Sequence, residues 1–99
     1  MLDQLQLSDF ESFVGQDFTI KFSFPEAELA ATLVSAAQLR TRGDGGREPF
    51  SLIFRTAQKN EHYRQAIYTL VHPEKGDMEL FFVPLGYVPE GVQYEVIFT

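Results

Sequence analysis

The side chains best suited to chemistry lie near one predicted turn, where His72 is followed by Asp77 and Glu79. A carboxylate beside an imidazole would orient the ring and raise its pKa, as in general-base sites. The neighbouring sequence suggests no nucleophile to complete such a site. We therefore interpret His72 as a residue at the rim of a sheet, with ring nitrogens that bond to the turn backbone. We predict no catalytic residue and no enzymatic activity.

Metal and cofactor binding are not predicted either. The two histidines, His62 and His72, form neither of the short motifs in which paired histidines bind zinc. Asp77 and Glu79 share one strand face, but alternating charge on a solvated face is a commoner origin of such a pair than a cation site. The chain has no cysteine, which excludes disulfides and thiolate–metal sites. A cysteine-free chain is also typical of the cytoplasm.

Four polar residues set among apolar runs are candidate binding residues: Arg55, Gln65, Tyr68 and His72. Arg55 suits a carboxylate or phosphate anchor, because its guanidinium presents a fork of donors. A structural ion pair across strands is the alternative that we favour for it. Three glutamates are candidate partners for such a pair: Glu48, Glu61 and Glu95.

The charge balance argues against nucleic acid. The chain carries 8 basic and 14 acidic residues, for a net charge of −6, whereas a nucleic-acid binder usually presents a basic patch. Only Arg40, Arg42 and Arg47 cluster, and Asp44 and Glu48 interrupt them. No apolar run approaches the roughly 20 residues that cross a bilayer. We expect no nucleic-acid binding and no membrane insertion, and a protein partner or homo-oligomer instead.

Period-two alternation predicts most of the elements that position these residues. Five segments combine this alternation with aromatic and β-branched side chains, which is typical of half-buried strands. They are residues 17–24, 50–56, 66–72, 78–84 and 92–98.

Residues 28–39 fit two structures. Their alanine content and helical spacing suit a helix, but Leu29, Ala31, Leu33 and Ser35 also fall on one face of a strand. We favour a strand, because sequential strands usually pair, and we leave the helix open.

A short N-terminal helix is predicted over residues 8–14. Ser8 and Glu11 have the spacing of a capping box, in which the two side chains bond reciprocally to backbone N–H groups. Gly15 is suited to end the helix. We expect its apolar face to close one end of a sheet or barrel.

The segment 65–86 predicts a β-hairpin with a polar turn. Alternation places Met78, Leu80 and Phe82 inward, opposite an inward face that holds Tyr68 and Leu70. We expect His72 at the rim, paired with Met78 across a five-residue loop. Asp77 then lies on the other face of the sheet.

These elements together predict a mainly β protein, a single domain over residues 1–99. All consecutive strands are joined by short connections, so the sheet should be antiparallel. About six strands with one apolar face must close or pack to hide it. We expect a small antiparallel barrel or a two-layer roll, with the short helix capping one end.

The sequence also resembles a known family. The runs PFSLIFR, QAIYTLVHPEKGDMELFFVPLG and G-x-x-YEVIF, with the opening LxxF…VGQDFT, resemble small bacterial proteins grouped as domain-of-unknown-function family 6916. The resemblance covers nearly the whole chain and is weakest over residues 28–48. It implies a stand-alone, all-β bacterial domain, and it brings no activity, cofactor or catalytic residue to carry over.

We expect a non-enzymatic protein-binding or accessory domain. This hypothesis is based on the lack of a catalytic set and on four apolar residues expected on the outside: Ile53, Tyr87, Val88 and Ile97. One alternative is a structural component of a phage-tail-like or secretion assembly. The other is a small-molecule binder or enzyme that uses the barrel interior.

Overall fold

The computed structural model describes residues 5–23, 25–39 and 49–99. These residues form one helix and six strands, in the order α1 Ser8–Glu11, β1 Asp17–Ser23, β2 Glu26–Gln38, β3 Phe50–Thr56, β4 Ala66–His72, β5 Gly76–Val88 and β6 Gly91–Phe98. The strands close into a barrel with the order β1–β2–β3–β6–β5–β4, and every neighbouring pair is antiparallel. The predicted mainly β class is confirmed, and of the two architectures it is the barrel.

Some of the sequence features lie outside the described residues. Phe24, the last residue of the predicted strand 17–24, is one of them. The arginine cluster of Arg40, Arg42 and Arg47 is another. Over the described part of the chain, no helix has the length and apolar character that a bilayer crossing requires.

Alternation along each strand builds the barrel interior. On β1, Phe18, Ile20 and Phe22 are at most 3 % exposed, while Asp17, Lys21 and Ser23 face solvent. The same alternation buries Leu52 and Phe54 on β3, and Tyr94 and Val96 on β6. Each strand thus contributes one apolar face to a shared core, which supplies the main driving force for folding.

The segment that fitted both a helix and a strand is the long strand β2. Its first half pairs with β1 up to Thr32, and its second half pairs with β3 from Thr32 onward. A bulge between Leu33 and Ser35 leaves Val34 as the extra residue. Because one extra residue reverses the alternation, Ala36 packs against the core instead of the expected Ser35.

The helix is shorter than predicted, and its cap differs. It spans Ser8–Glu11, not residues 8–14, with Leu7 at the N-cap position and no side-chain cap hydrogen bond. Asp9 reaches back instead, because its Oδ2 accepts the backbone N–H of Gln6 at 2.8 Å. The capping box that we expected from Ser8 and Glu11 is therefore wrong. The Asp9 carboxylate thus binds the backbone just ahead of the helix.

Gly15 closes the turn after this helix rather than the helix itself. Its φ of +93° is a left-handed conformation that favours glycine. Its N–H donates to the carbonyl oxygen of Leu33 at 2.8 Å, and the Leu33 N–H donates to Gln16. The turn is therefore held on the middle of β2, which fixes the helix over one end of the barrel.

The β4–β5 hairpin has the predicted faces in a different register. Met78, Leu80 and Phe82 are inward as predicted. However, His72 pairs with Gly76, and Met78 pairs with Leu70. The loop therefore has three residues, not five, and it is closed by Gly76 at a φ of +80°. The predicted pair was displaced by two residues, so each side chain kept its face.

Candidate functional site

His72 lies buried at the end of the barrel that the helix covers. Its ring makes edge contacts with Phe10, Phe13 and Phe18, at centroid distances of 5.4, 4.9 and 5.7 Å. Phe10 also contacts the rings of Phe50 and Phe98. The imidazole is therefore one member of an aromatic cluster between the helix and the barrel, only 2 % exposed to solvent.

Backbone groups occupy both nitrogens of this ring. The N–H groups of Glu74 and Lys75 donate to His72 Nδ1 at 3.0 and 3.1 Å. Since Nδ1 accepts, Nε2 carries the proton and donates to the carbonyl oxygen of Asp9 at 2.9 Å. This is the rim arrangement that the sequence favoured, with a helix carbonyl added. It leaves the ring no free nitrogen for a substrate.

The carboxylates proposed to assist His72 lie elsewhere. Asp77 is exposed, and its Oδ2 is 3.6 Å from Nζ of Lys21 on β1. Glu79 is also exposed and pairs across the sheet with Thr69. The structure therefore does not bring Asp77 or Glu79 to the imidazole. Over the described residues, no group of three or more histidines and acids is placed to hold a metal ion.

A second polar cluster is formed by Tyr94, Gln58 and Thr56, and the Tyr94 ring contacts the buried ring of Phe22. The Tyr94 hydroxyl accepts the N–H of Tyr63 at 2.9 Å and donates to Gln58 Oε1 at 2.7 Å. The Thr56 hydroxyl donates to the same Gln58 oxygen at 2.8 Å. The Gln58 Nε2 group is buried and meets no hydrogen-bond partner among the described residues. The cluster ties the 57–65 connection to β3 and β6.

Tyr68 completes this cluster from β4. It is buried, and its hydroxyl donates to the carbonyl oxygen of Arg64. Loss of solvation by burial raises the pKa of Tyr68, and the nearby Arg64 charge offsets only part of that rise. Burial likewise raises the pKa of Tyr94 above its usual value, against the lowering effect of the hydrogen bond from Tyr63. Both phenols are thus held neutral as parts of the core.

Arg55 and Gln65 are not brought to this cluster or to His72 by any contact in the described structure. Arg55 is half-buried on β3, opposite Thr32 and Gln93. Neither Glu61 nor Glu95 forms an ion pair with it in the described chain, and the register places Ile53 rather than Arg55 opposite Glu95. Its third candidate partner, Glu48, lies outside the described residues. Gln65 is exposed just before β4. The four candidate residues thus do not form one site.

His62 is the histidine outside the core. It is exposed, and its ring meets Tyr87 edge-on at 5.6 Å. Its Nδ1 lies 3.3 Å from the Tyr87 hydroxyl. Lys59 donates to the carbonyl oxygen of Pro89 at 3.2 Å nearby. These contacts hold the 57–65 connection against the β5–β6 hairpin.

The outer face of three neighbouring strands carries large apolar side chains. Ile67 on β4, Phe81 and Leu85 on β5, and Ile97 on β6 are between 49 % and 61 % exposed. We call these four residues the outer patch. Ile67 pairs directly with Phe81.

The strand register shows how the outer-patch residues lie relative to one another on the adjoining strands β4, β5 and β6. Val83 pairs with Glu95, and Phe81 and Ile97 lie two residues beyond that pair, on the same side of it. Leu85 is the unpaired residue of the bulge between Pro84 and Gly86, and Gly86 pairs with Gln93. Side chains directly opposite each other in a sheet are roughly 5 Å apart. Ile67 and Phe81 are therefore in direct contact range, and Leu85 and Ile97 lie on the same outer face of the adjoining strands.

Sequence reasoning found only part of this surface. Ile97 and Tyr87 are exposed as expected, whereas Ile53 and Val88 are half-buried. Tyr87 pairs with the inward-facing Val92 and lies on the opposite side of β5 from the outer patch. The residues that were missed are Ile67, Phe81 and Leu85. Period-two alternation could have identified two of them. Ile67 precedes an inward tyrosine, and Phe81 separates two inward residues.

Comparisons with known proteins give a family and nothing more specific. No curated protein and no solved structure matches the chain. Residues 5–98 match the family described as "Domain of unknown function (DUF6916)". The match includes all six strands and the helix. The chain therefore belongs to the DUF6916 family of domains of unknown function.

Proposed function

We propose that this protein is a non-enzymatic protein-binding domain, an accessory module of the bacterial cytoplasm. The observation that carries the proposal is the outer patch. Single exposed apolar residues are common on protein surfaces, but contiguous apolar patches usually mark interaction sites. Here four large side chains share one face of three adjacent strands, and each leaves about half of its surface in water.

The interior supports this proposal over a site inside the barrel. Rings and aliphatic side chains converge there, and Tyr68, Phe54, Phe82 and Leu70 are at most 1 % exposed. His72 and Tyr94 bond to the protein itself, through Asp9 and Gln58 respectively. A binding pocket would instead direct such groups toward open space.

The test compares two variants as baits in lysate from the source bacterium. Ile67→Ser with Phe81→Ser removes the centre of the outer patch. Val14→Ser is the matched control, because Val14 is 46 % exposed in the turn after the helix and outside the patch. We expect a protein that the wild type and V14S retain and the double variant loses. The interaction is then measured by calorimetry with the purified partner.

Three outcomes would count against the proposal. Identical capture by all three baits would mean that the outer patch does not bind protein. Failure of the captured protein to bind the purified domain would do the same. A ring or other symmetric oligomer in light scattering, lost in the double variant, would favour the structural-assembly alternative, because the patch would then contact further copies of the chain.

A further inference from the structure

We infer that the partner of the outer patch is a protein segment in which apolar side chains are flanked by lysine or arginine. This inference rests on the proposed function and adds the chemistry of the partner. Its basis is the distribution of charge around the four apolar side chains.

The three strands that carry the outer patch together hold three acidic residues and no lysine or arginine. Asp77 and Glu79 lie on β5, Glu95 lies on β6, and β4 has no acidic residue. Asp77 is partly neutralised by Lys21 of β1 at 3.6 Å. Glu79 and Glu95 therefore carry the charge next to the patch.

Both glutamates lie beside patch residues. Glu79 is exposed two positions before Phe81 on the same strand face, so their side chains point the same way. Glu95 pairs with Val83 on one side and with Ile53 on the other, two positions before Ile97. The strands of the described sheet hold two bases: Lys21 on β1 pairs with Thr69 and contacts Asp77, and Arg55 lies beyond β6 on β3, opposite Gln93. An approaching partner thus meets apolar surface with carboxylates at its edge.

Charge complementarity indicates which kind of partner this surface would bind. Like charges placed together across an interface cost free energy, whereas opposite charges favour association and fix orientation. A second copy of the chain would bring its own glutamates against these and adds a further net charge of −6. A cationic amphipathic segment fits both features, because its apolar side chains cover the patch and its bases meet the carboxylates.

Synthetic peptides test the inference without a known partner. The first peptide has leucines along one side flanked by lysines, the second replaces every lysine with glutamate, and the third replaces every leucine with serine. Binding is measured by fluorescence anisotropy at two salt concentrations. We expect the leucine–lysine peptide to bind at least tenfold more tightly than either of the others, with affinity that falls as salt rises.

Protein variants assign that preference to the patch. Phe81→Ser should weaken the leucine–lysine peptide at least tenfold. Glu79→Gln with Glu95→Gln should remove the preference for lysine over glutamate. Glu28→Gln is the control, because Glu28 is exposed on β2, which does not adjoin β4, β5 or β6.

The outcomes separate this inference from the proposed function. If the lysine and glutamate peptides bind equally well and both need Phe81, the inferred charge preference is wrong. The outer patch would then still be a protein-binding surface. If none of the peptides binds, the inference of a cationic partner segment is wrong. The lysate comparison then still tests the proposed function. A homodimer that Phe81→Ser dissociates would overturn both, because a second copy would then occupy the patch.

Discussion

His72 donates a hydrogen bond from Nε2 to the carbonyl oxygen of Asp9 at 2.9 Å, which joins the β4–β5 turn to the N-terminal helix. That carbonyl lies in a helix of four residues, and carbonyl oxygens near a helix end commonly find partners outside the helix. Lys75 and Asp9 add an ion pair at 3.5 Å between the same two elements. A single buried imidazole thus shapes a turn and holds the helix over the barrel.

Replacing His72 should therefore destabilise the fold. We expect His72→Ala to lower the free energy of unfolding by about 2–4 kcal/mol, because it removes a buried ring and leaves backbone groups without partners. Urea unfolding of the wild type and variant measures this. The control is His62→Ala, which removes an exposed ring and should change stability by less than about 1 kcal/mol. Equal effects of the two substitutions would contradict the structural role of His72.

Two glycines should respond differently to the same substitution. A Cβ on Gly91 would lie 1.7 Å from the carbonyl oxygen of Thr56, so Gly91→Ala forces neighbouring strands apart. We expect a loss of about 3 kcal/mol or more. Gly76 has open space around it but a φ of +80°, so Gly76→Ala should cost about 1–2 kcal/mol. Thermal unfolding of both variants checks the order, and a reversed order would contradict the close approach at Gly91.

Neighbouring phenylalanines on β5 test the orientation of the outer patch. Phe82 is fully buried, so Phe82→Ala should cost about 3–5 kcal/mol. Phe81 is 50 % exposed and contributes mainly its cross-strand pair with Ile67, so Phe81→Ala should cost no more than about 1 kcal/mol. Denaturant titration compares them. A costly Phe81→Ala with a mild Phe82→Ala would mean that β5 is turned over.

Alkaline pH should destabilise the protein through its buried phenols. Burial raises the pKa of Tyr68 and Tyr94 above the usual 10.0. As the pH passes 10.0, the unfolded chain releases these protons while the folded chain retains them, so the free energy of unfolding falls. Below that pH, neither tyrosine contributes a pH dependence. Denaturant titrations at several pH values, with phenolate absorbance followed in parallel, measure the effect.

A tyrosine variant provides the control for this prediction. Tyr94→Phe removes one of the two titrating groups, so its stability should fall less steeply with alkaline pH than that of the wild type. Its stability at neutral pH should be lower, because the N–H of Tyr63 and the Gln58 amide lose the hydroxyl as a partner. An unchanged slope in Tyr94→Phe would mean that Tyr94 does not titrate at a raised pKa.

Much of the fold was predictable because strand alternation is a local property. The inward placement of Phe18, Ile20 and Phe22 follows from period two alone, and so do the faces of the β4–β5 hairpin. The same rule places Ile67 and Phe81 on the outer face. The absence of cysteine and the acidic balance are also properties of composition, and they limited the kinds of site that needed consideration.

The register and the sites required the tertiary structure. The bulges at Val34 and near Leu85 reverse alternation without a distinctive residue, so the expected place of Ser35 was wrong. The three-residue loop depends on Gly76 adopting a positive φ, which the sequence permits but does not require. The barrel closes through the pairs β1–β4 and β3–β6, which join distant segments, and packing of the helix on the barrel brings Asp9 to His72. Pairing between strands joins residues far apart in the chain, and local patterns do not specify such partners.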